Sequence, residues 1–333
     1  MSIDDQLKEA FYILDQAQDQ FKPISVVGMY SGGNDSLAVA RILEIWSAMR
    51  NVPFHVAHIN TGIGIDETRM HVRATARDRN WSFYEFSTPP DHYIHMVTGQ
   101  ERHRSVPGGF PGAPLHSIYY RDLKDRRVEE MMRCLKQGHK RTEKVMLVSG
   151  IRRQESRRRM GYASAINTRG SQIWVNPCLN WSANDVYDLR DLHKLPQSPV
   201  SALLHRSGEC LCGAMADEGE YEEVCYWFPK TGAYLRKITE QVHAAGFLWN
   251  WDQGPPEWHA VPNMTKDVWD SLSRDVQLGW LQWAHGKAPD GWQGSDWAVL
   301  PPKLRRRLRQ SARVGQFDFL PLCLGCEARH GKS

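Results

Sequence analysis

Residues 24–50 read ISVVGMY-SGGNDS-LAVARILEIWSAMR, and this stretch decides the fold. Ile24 to Tyr30 is a short β-branched and apolar run, the composition of a buried parallel strand. From Ser36 to Arg50 the apolar residues Leu37, Val39, Ile42, Leu43, Ile45 and Trp46 recur at helical spacing, which predicts a helix. The turn between them, Ser31 to Ser36, contains Gly32 and Gly33, which can take positive φ and let a ligand approach the backbone. A helix that starts there presents unpaired N–H groups and the positive end of its dipole. Strand, glycine turn and helix start together predict an anion cradle for phosphate, pyrophosphate or sulfate. Asp35 and Ser36 are candidate helix caps, and also candidates for contacting phosphate or a metal. The G-x-x-x-x-G-K-[ST] spacing of a Walker loop is absent.

Around this stretch lies a chain of 333 residues, enough for one large domain or two. Its 41% hydrophobic and 24% charged content is that of a soluble globular protein. No run of about 18 apolar residues is present, and the N-terminus MSIDDQLKEAFYILDQA reads as an acidic amphipathic helix rather than a signal peptide. A cytoplasmic protein without membrane contact is expected. A net charge of +4 does not by itself argue for nucleic acid.

Strands and helices alternate over the first two-thirds. Phe54–Ile59 reads as a second strand, followed by Asn60-Thr61-Gly62 and a helix over Asp66–Arg79. Trp81–Phe86, Lys144–Ser149 and Gln172–Val175 read as three more strands. Repeated βα units predict a mostly parallel, doubly wound sheet whose ligands bind beyond the carboxyl ends of the strands. The glycine turn, Thr61-Gly62 and Gly150 all fall at such ends. Residues 89–114 break the pattern with closely spaced prolines and glycines, which predicts a functional lid or mobile insertion. The histidines there, His92, His95 and His103, are irregularly spaced and read as solvated loop residues rather than metal ligands.

After the fourth strand, Gly150 to Arg159 carries five arginines, Arg152, Arg153, Arg157, Arg158 and Arg159, which would repel one another unless an anion or carboxylates offset them. Ser31–Ser36 resembles the PP-loop, SGGxDS, of the N-type ATP pyrophosphatases and the phosphoadenosine phosphosulfate (PAPS) reductases, with Asn34 where a lysine is common. Gly150, Arg152, Glu155, Ser156 and Arg159 resemble the G-x-R-x-x-E-S-x-x-R signature of the PAPS reductase family. Asn176-Pro177, Trp181-Ser182, Asp185-Val186, Leu195-Pro196 and Ser198-Pro199 continue the likeness. Ser182 and Asp185 have the spacing of a capping box and are read as structural. The resemblance implies an α/β fold like the adenine nucleotide alpha hydrolases, Rossmann-like, with a C-terminal, mainly helical, metal-binding extension. Residues 1–200 would form the nucleotide domain and residues 201–333 the extension. It implies nucleotide contacts from Ser31, Gly32, Gly33, Asn34, Asp35, Ser36, Thr61, Gly62, Gly150 and Arg152, with Asp35, Arg152, Arg157 and Arg159 as catalytic candidates.

The seven cysteines are Cys134, Cys178, Cys210, Cys212, Cys225, Cys323 and Cys326. Four of them form two close pairs, Cys210/Cys212 and Cys323/Cys326, which in a cytosolic chain suit zinc or an iron–sulfur cluster. The family resemblance points to a [4Fe–4S] cluster on these four, with zinc the alternative; the C-x-C of Cys210-Leu211-Cys212 departs from the family's C-x-x-C. Cys134 is the substitute ligand or a redox thiol, while Cys178 and Cys225 read as packing residues. The tryptophan-dense stretch from Tyr221 to Gly294 reads as the core of a small helical domain, and Lys303–Arg309 as a basic helix with a solvated face.

The expectation is an enzyme that binds ATP, with Mg²⁺, or PAPS. In one chemistry ATP adenylates an oxygen of an acceptor, nucleic acid being one candidate, and a sulfur donor displaces AMP. In the other, a thiolate attacks PAPS or adenylylsulfate, a reductant protein follows, and sulfite is released. A nucleic-acid-binding protein with a relic PP-loop is the non-enzymatic alternative. The end of the chain, Leu324 to His330, differs from the E-C-G-L-H ending of the family's assimilatory reductases, which favours the ATP-dependent reading.

Overall fold

The computed structural model describes residues 2–100, 108–136, 142–155, 163–261 and 264–284. Contacts gather the chain into two compact units, Met1–Pro90 with Leu123–Leu211, and Asp91–Asp122 with the described residues from Cys212 onward.

The first unit holds six strands, β1 (Ser25–Met29), β2 (His55–Asn60), β3 (Phe83–Ser87), β4 (Val145–Val148), β5 (Ile166–Arg169) and β6 (Gln172–Val175). Their order is β3-β2-β1-β4-β6-β5, and every pairing is parallel except β5 with β6. The fold is thus α/β and Rossmann-like, as expected. β5 carries no strand signal in the sequence, because Ile-Asn-Thr-Arg is a polar edge strand without an apolar run. Its hairpin turns at Gly170, where φ is +62° and an added Cβ would meet open space.

Helices cover both faces of the sheet. α1 (Ile3–Phe21), α2 (Asn34–Arg50) and, later in the chain, Ala183–Leu192 share a core with Val26, Met146, Ile173 and Val175. Trp46 is fully buried there, and its indole N–H donates to Asp15 at 2.8 Å. α3 (Asp66–Asp78) packs Val72 and Ala76 with Tyr30, Leu37 and Trp81. α4 (Arg126–Leu135) covers the opposite face, where Val128, Met131 and Met132 meet Val27, Ala57 and Leu147. Ala183–Leu192 starts on the expected capping box, with Ser182 accepting from the Asp185 N–H and Asp185 accepting from the Ser182 N–H.

The second unit is built on aromatic side chains, as its composition predicted. Val261, Met264, Trp269, Leu272 and Trp280 form one buried cluster. A second gathers Phe247, Trp249, Trp258 and His259 edge to face, and Gly108 to Gly112 is buried against it. His259 Nε2 bonds the Gly108 carbonyl at 2.7 Å, and the Trp249 indole donates to the Phe110 carbonyl at 2.9 Å. An added Cβ on Gly109 would lie 2.0 Å from the Trp249 ring. Gly108–Gly112 is therefore core rather than lid, with Gly108 and Gly109 giving the rings room to lie on the backbone, whereas Pro89–Asp91 and Gly99–Gln100 are exposed. His103 lies outside the described residues. No described helix is long and apolar enough to cross a membrane.

Candidate functional site

β2, β1 and β4 are parallel neighbours, so the loops that follow them emerge at one edge of the sheet. These loops carry Thr61-Gly62, the turn Ser31–Gly33 and Gly150, and the convergence read from the sequence is borne out. Gly32 has φ +86°, and its α-carbon faces α3, where an added Cβ would fall 2.7 Å from Thr68 Cγ2. Gly33 instead has φ −87° and serves as the N-cap of α2, with no side-chain hydrogen bond capping the helix. The expectation that Asp35 and Ser36 cap it is thus corrected. Ser36 donates to the Gly33 carbonyl at 2.9 Å and accepts from the Ser31 N–H at 3.2 Å, which closes the turn on itself. Asn34 Oδ1 is screened from solvent without a donor among the described residues.

Asp35 turns to β4. The Arg152 guanidinium donates to it from Nε at 2.8 Å and from Nη2 at 3.3 Å, and from Nη1 to the Trp181 carbonyl at 3.4 Å. Arg152 is buried, so the pair is a brace between the loop after β4 and the first turn of α2. Gly150 makes that approach possible, since a Cβ there would sit 2.8 Å from both the Asp35 carbonyl oxygen and the Ser36 nitrogen. Arg157 and Arg159 lie outside the described residues.

The loop after β2 is held by Ser207–Leu211. The Thr61 hydroxyl donates to the Glu209 carbonyl at 2.8 Å and the Thr68 hydroxyl to the Ser207 carbonyl at 2.5 Å. Ile65 N–H bonds the Gly208 carbonyl at 2.9 Å, and Leu211 N–H the Ile63 carbonyl at 2.6 Å. The Glu209 side chain is nearly buried and pairs with Lys124 at 3.3 Å. Thr61 and the Gly62 N–H, which donates to Asn60 Oδ1 at 3.0 Å, are therefore engaged within the protein and shape the loop rather than reaching outward. The signal was available in Gly64 and Gly208: a Cβ on Gly64 would lie 2.3 Å from the Glu209 carbonyl oxygen, and Gly208 has φ +64°.

The phosphoadenosine phosphosulfate reductase domain model matches residues 25–207. The chain belongs to that family. A PAPS reductase of Synechocystis sp. is 34% identical over 74 residues, which are 22% of this chain and 28% of that protein, so the likeness spans under a third of the relative. Among solved structures, a PAPS reductase from Candida auris in complex with phosphate superposes with a TM-score of 0.42 at 16% identity, covering 61% of this chain and 92% of that one. An FMN adenylyltransferase from Candida glabrata with FMN and an ATP analogue has a TM-score of 0.42 at 12% identity, over 60% of this chain and 61% of that one.

The cysteines divide between the units. Cys178 is buried in the first, and burial pushes its thiol pKa well up, in keeping with the packing role expected. Cys134 is exposed and Cys225 half-buried. Cys210 is half-buried; Cys212 is buried, with its carbonyl accepting from the Tyr93 hydroxyl at 3.0 Å. Among the described residues no three His, Cys, Asp or Glu side chains gather as a metal site. Cys323 and Cys326 lie outside those residues, as do Trp292 and Lys303–Arg309.

Proposed function

We propose that this PAPS reductase-family chain is an ATP-using enzyme that activates an oxygen of an acceptor for sulfur transfer. The observation that carries the nucleotide part is the start of α2, which has no side-chain cap, opens at the carboxyl edge of the sheet and is braced from behind by Arg152. Backbone N–H groups there offset phosphate charge without a lysine. With Asn34 in the lysine position, further positive charge would come from Mg²⁺ bound to ATP as part of the substrate. Both Asp35 oxygens already accept from Arg152, so Asp35 fits poorly as a direct metal ligand. In this reading the acceptor oxygen attacks the α-phosphorus, the bond to pyrophosphate breaks, and a sulfur nucleophile then displaces AMP. Nucleic acid is one candidate acceptor, and the family's cytosolic chemistry is the setting we propose.

A second reading is favoured by the likeness to the Synechocystis PAPS reductase. A thiolate would attack the sulfur of a sulfonucleotide, breaking its S–O bond to leave the nucleotide and an S-sulfonated thiol, and a reductant thiol would free sulfite. Incubation with ATP and with PAPS, followed by pyrophosphate and sulfite assays, separates the two: pyrophosphate from ATP supports the first, sulfite from PAPS replaces it with the second. We also propose a four-thiolate metal site on Cys210, Cys212, Cys323 and Cys326, separate from this chemistry. Iron and sulfide in protein purified without oxygen would support a cluster, and one zinc per chain would replace it.

A further inference from the structure

Glu85 belongs to no motif, yet its carboxylate is only 15% exposed on β3 and is the centre of a hydrogen-bonded chain. Arg73 of α3 forks it, Nε to Oε2 and Nη2 to Oε1, both at 2.7 Å. Oε1 also accepts from Asn60 Nδ2 at 2.9 Å and from Ser87 Oγ at 3.4 Å. Hydrogen bonding from Arg73, and then from Asn60, outweighs burial and holds its pKa down to about 2, so the group is an acceptor only.

That chemistry orients Asn60, the last residue of β2. An amide can face an acceptor-only group only with its NH₂, so the carbonyl oxygen must point the other way. There it accepts from the Gly62 N–H at 3.0 Å and from Arg69 Nη1 at 3.4 Å. Gly62 has φ +75°, a backbone conformation that side chains rarely adopt, and an added Cβ would press on the Thr88 carbonyl oxygen from 3.2 Å. A line of polar contacts therefore runs from an outer helix through two strands into the loop beside the anion cradle.

We propose that Glu85 is a positioning residue for nucleotide binding: through Asn60 it sets the backbone of Thr61-Gly62 at the rim of the site without touching the ligand. The inference rests on the nucleotide reading of that rim. With Arg73 56% exposed, an ion pair that only stabilised the fold would contribute little and would affect melting alone. The alternatives differ in what a reversal of polarity does. Asn60→Asp sets a carboxylate against Glu85 and should weaken binding about tenfold, the size of one lost hydrogen bond with a charged partner. Adding Glu85→Gln lets the new amide donate to residue 60 and accept from Arg73, and should bring affinity back to within about threefold of wild type. Arg73→Ala, at a side chain 56% exposed, should leave the fold intact and weaken binding about threefold.

Calorimetry of the full chain with ATP and with PAPS, alongside amide hydrogen exchange at Gly62 in nucleotide-free protein, tests this. Weak binding and fast Gly62 exchange in Asn60→Asp, with both restored in the double variant, is the expected result. Wild-type affinity and exchange in Asn60→Asp, or a double variant as weak as the single one, would overturn the role of Glu85 alone. If Asn60→Asp does not fold, the double variant decides on the same criterion. No binding of either nucleotide by wild type would instead overturn the reading of the site, with exchange at Gly62 still showing whether the contacts set the loop.

Discussion

Arg152 and Asp35 meet as a fork on a carboxylate, with donor distances of 2.8 and 3.3 Å across 117 positions of sequence. Their side chains are 10% and 25% exposed, so much of the hydration of both charges is replaced by contacts within the protein, this fork among them. Arg152 is thus engaged at the helix start that would bind an anion.

Removing either partner leaves a largely desolvated charge. Arg152→Ala is expected to cost about 3 kcal/mol, at the low end for breaking a buried pair. Arg152→Lys should recover only part of this, because an ammonium group cannot fork a carboxylate. Urea unfolding followed by tryptophan fluorescence checks the order wild type, Lys, Ala; equal stability of the Lys and wild-type proteins would contradict it.

Gly150 sits where a methyl group would press on the backbone of α2 from 2.7 Å. Backbone cannot move aside as a flexible side chain can, so Gly150→Ala should cost about 3 kcal/mol, the upper end for overpacking, and weaken ATP binding. Gly170→Ala is the control: its Cβ meets nothing, and the positive φ alone should cost about 1 kcal/mol without altering affinity. Calorimetry and thermal melts of the two variants give the comparison.

His259 supplies a pH dependence to the second unit. Burial lowers its pKa from 6.5 to about 4, against the smaller opposite effect of the bond to Gly108, so the folded chain holds it neutral. The unfolded chain takes up a proton below about 6.5 that the folded one accepts only near 4. Its stability is therefore complete above pH 6.5 and declines as pH falls to about 4, by about 3 kcal/mol at most. His259→Gln keeps a donor for the Gly108 carbonyl and cannot titrate. Melting curves from pH 7.5 to 4 should be flatter for this variant, and parallel curves would refute the assignment.

The parts of the fold that could be read beforehand are those specified by neighbours in sequence. The apolar run ending at Met29, the glycine turn and the helix start at Asn34 are local, and strands β1 to β4 and β6 lie within a few residues of their expected places. The capping box at Ser182 and Asp185 is likewise contained within four consecutive residues. β5 was not legible because an edge strand needs no apolar periodicity. Glu85 was not legible because nothing in β3 tells which strand or helix will face it.

What the sequence determined by itself was a doubly wound α/β unit with an anion-binding turn at one sheet edge, since hydrophobic period and turn chemistry act over a few residues. Tertiary structure alone decided that Asp35 serves Arg152 rather than the helix cap, that Ser207–Leu211 is stitched to the loop after β2, and that Gly108 and Gly109 lie against aromatic rings in the second unit. Each is a pairing of polar groups or a close approach between distant segments, and the partner exists only once the chain has been brought back on itself: burial leaves a donor, an acceptor or a bare glycine backbone to be satisfied by whatever the fold places beside it.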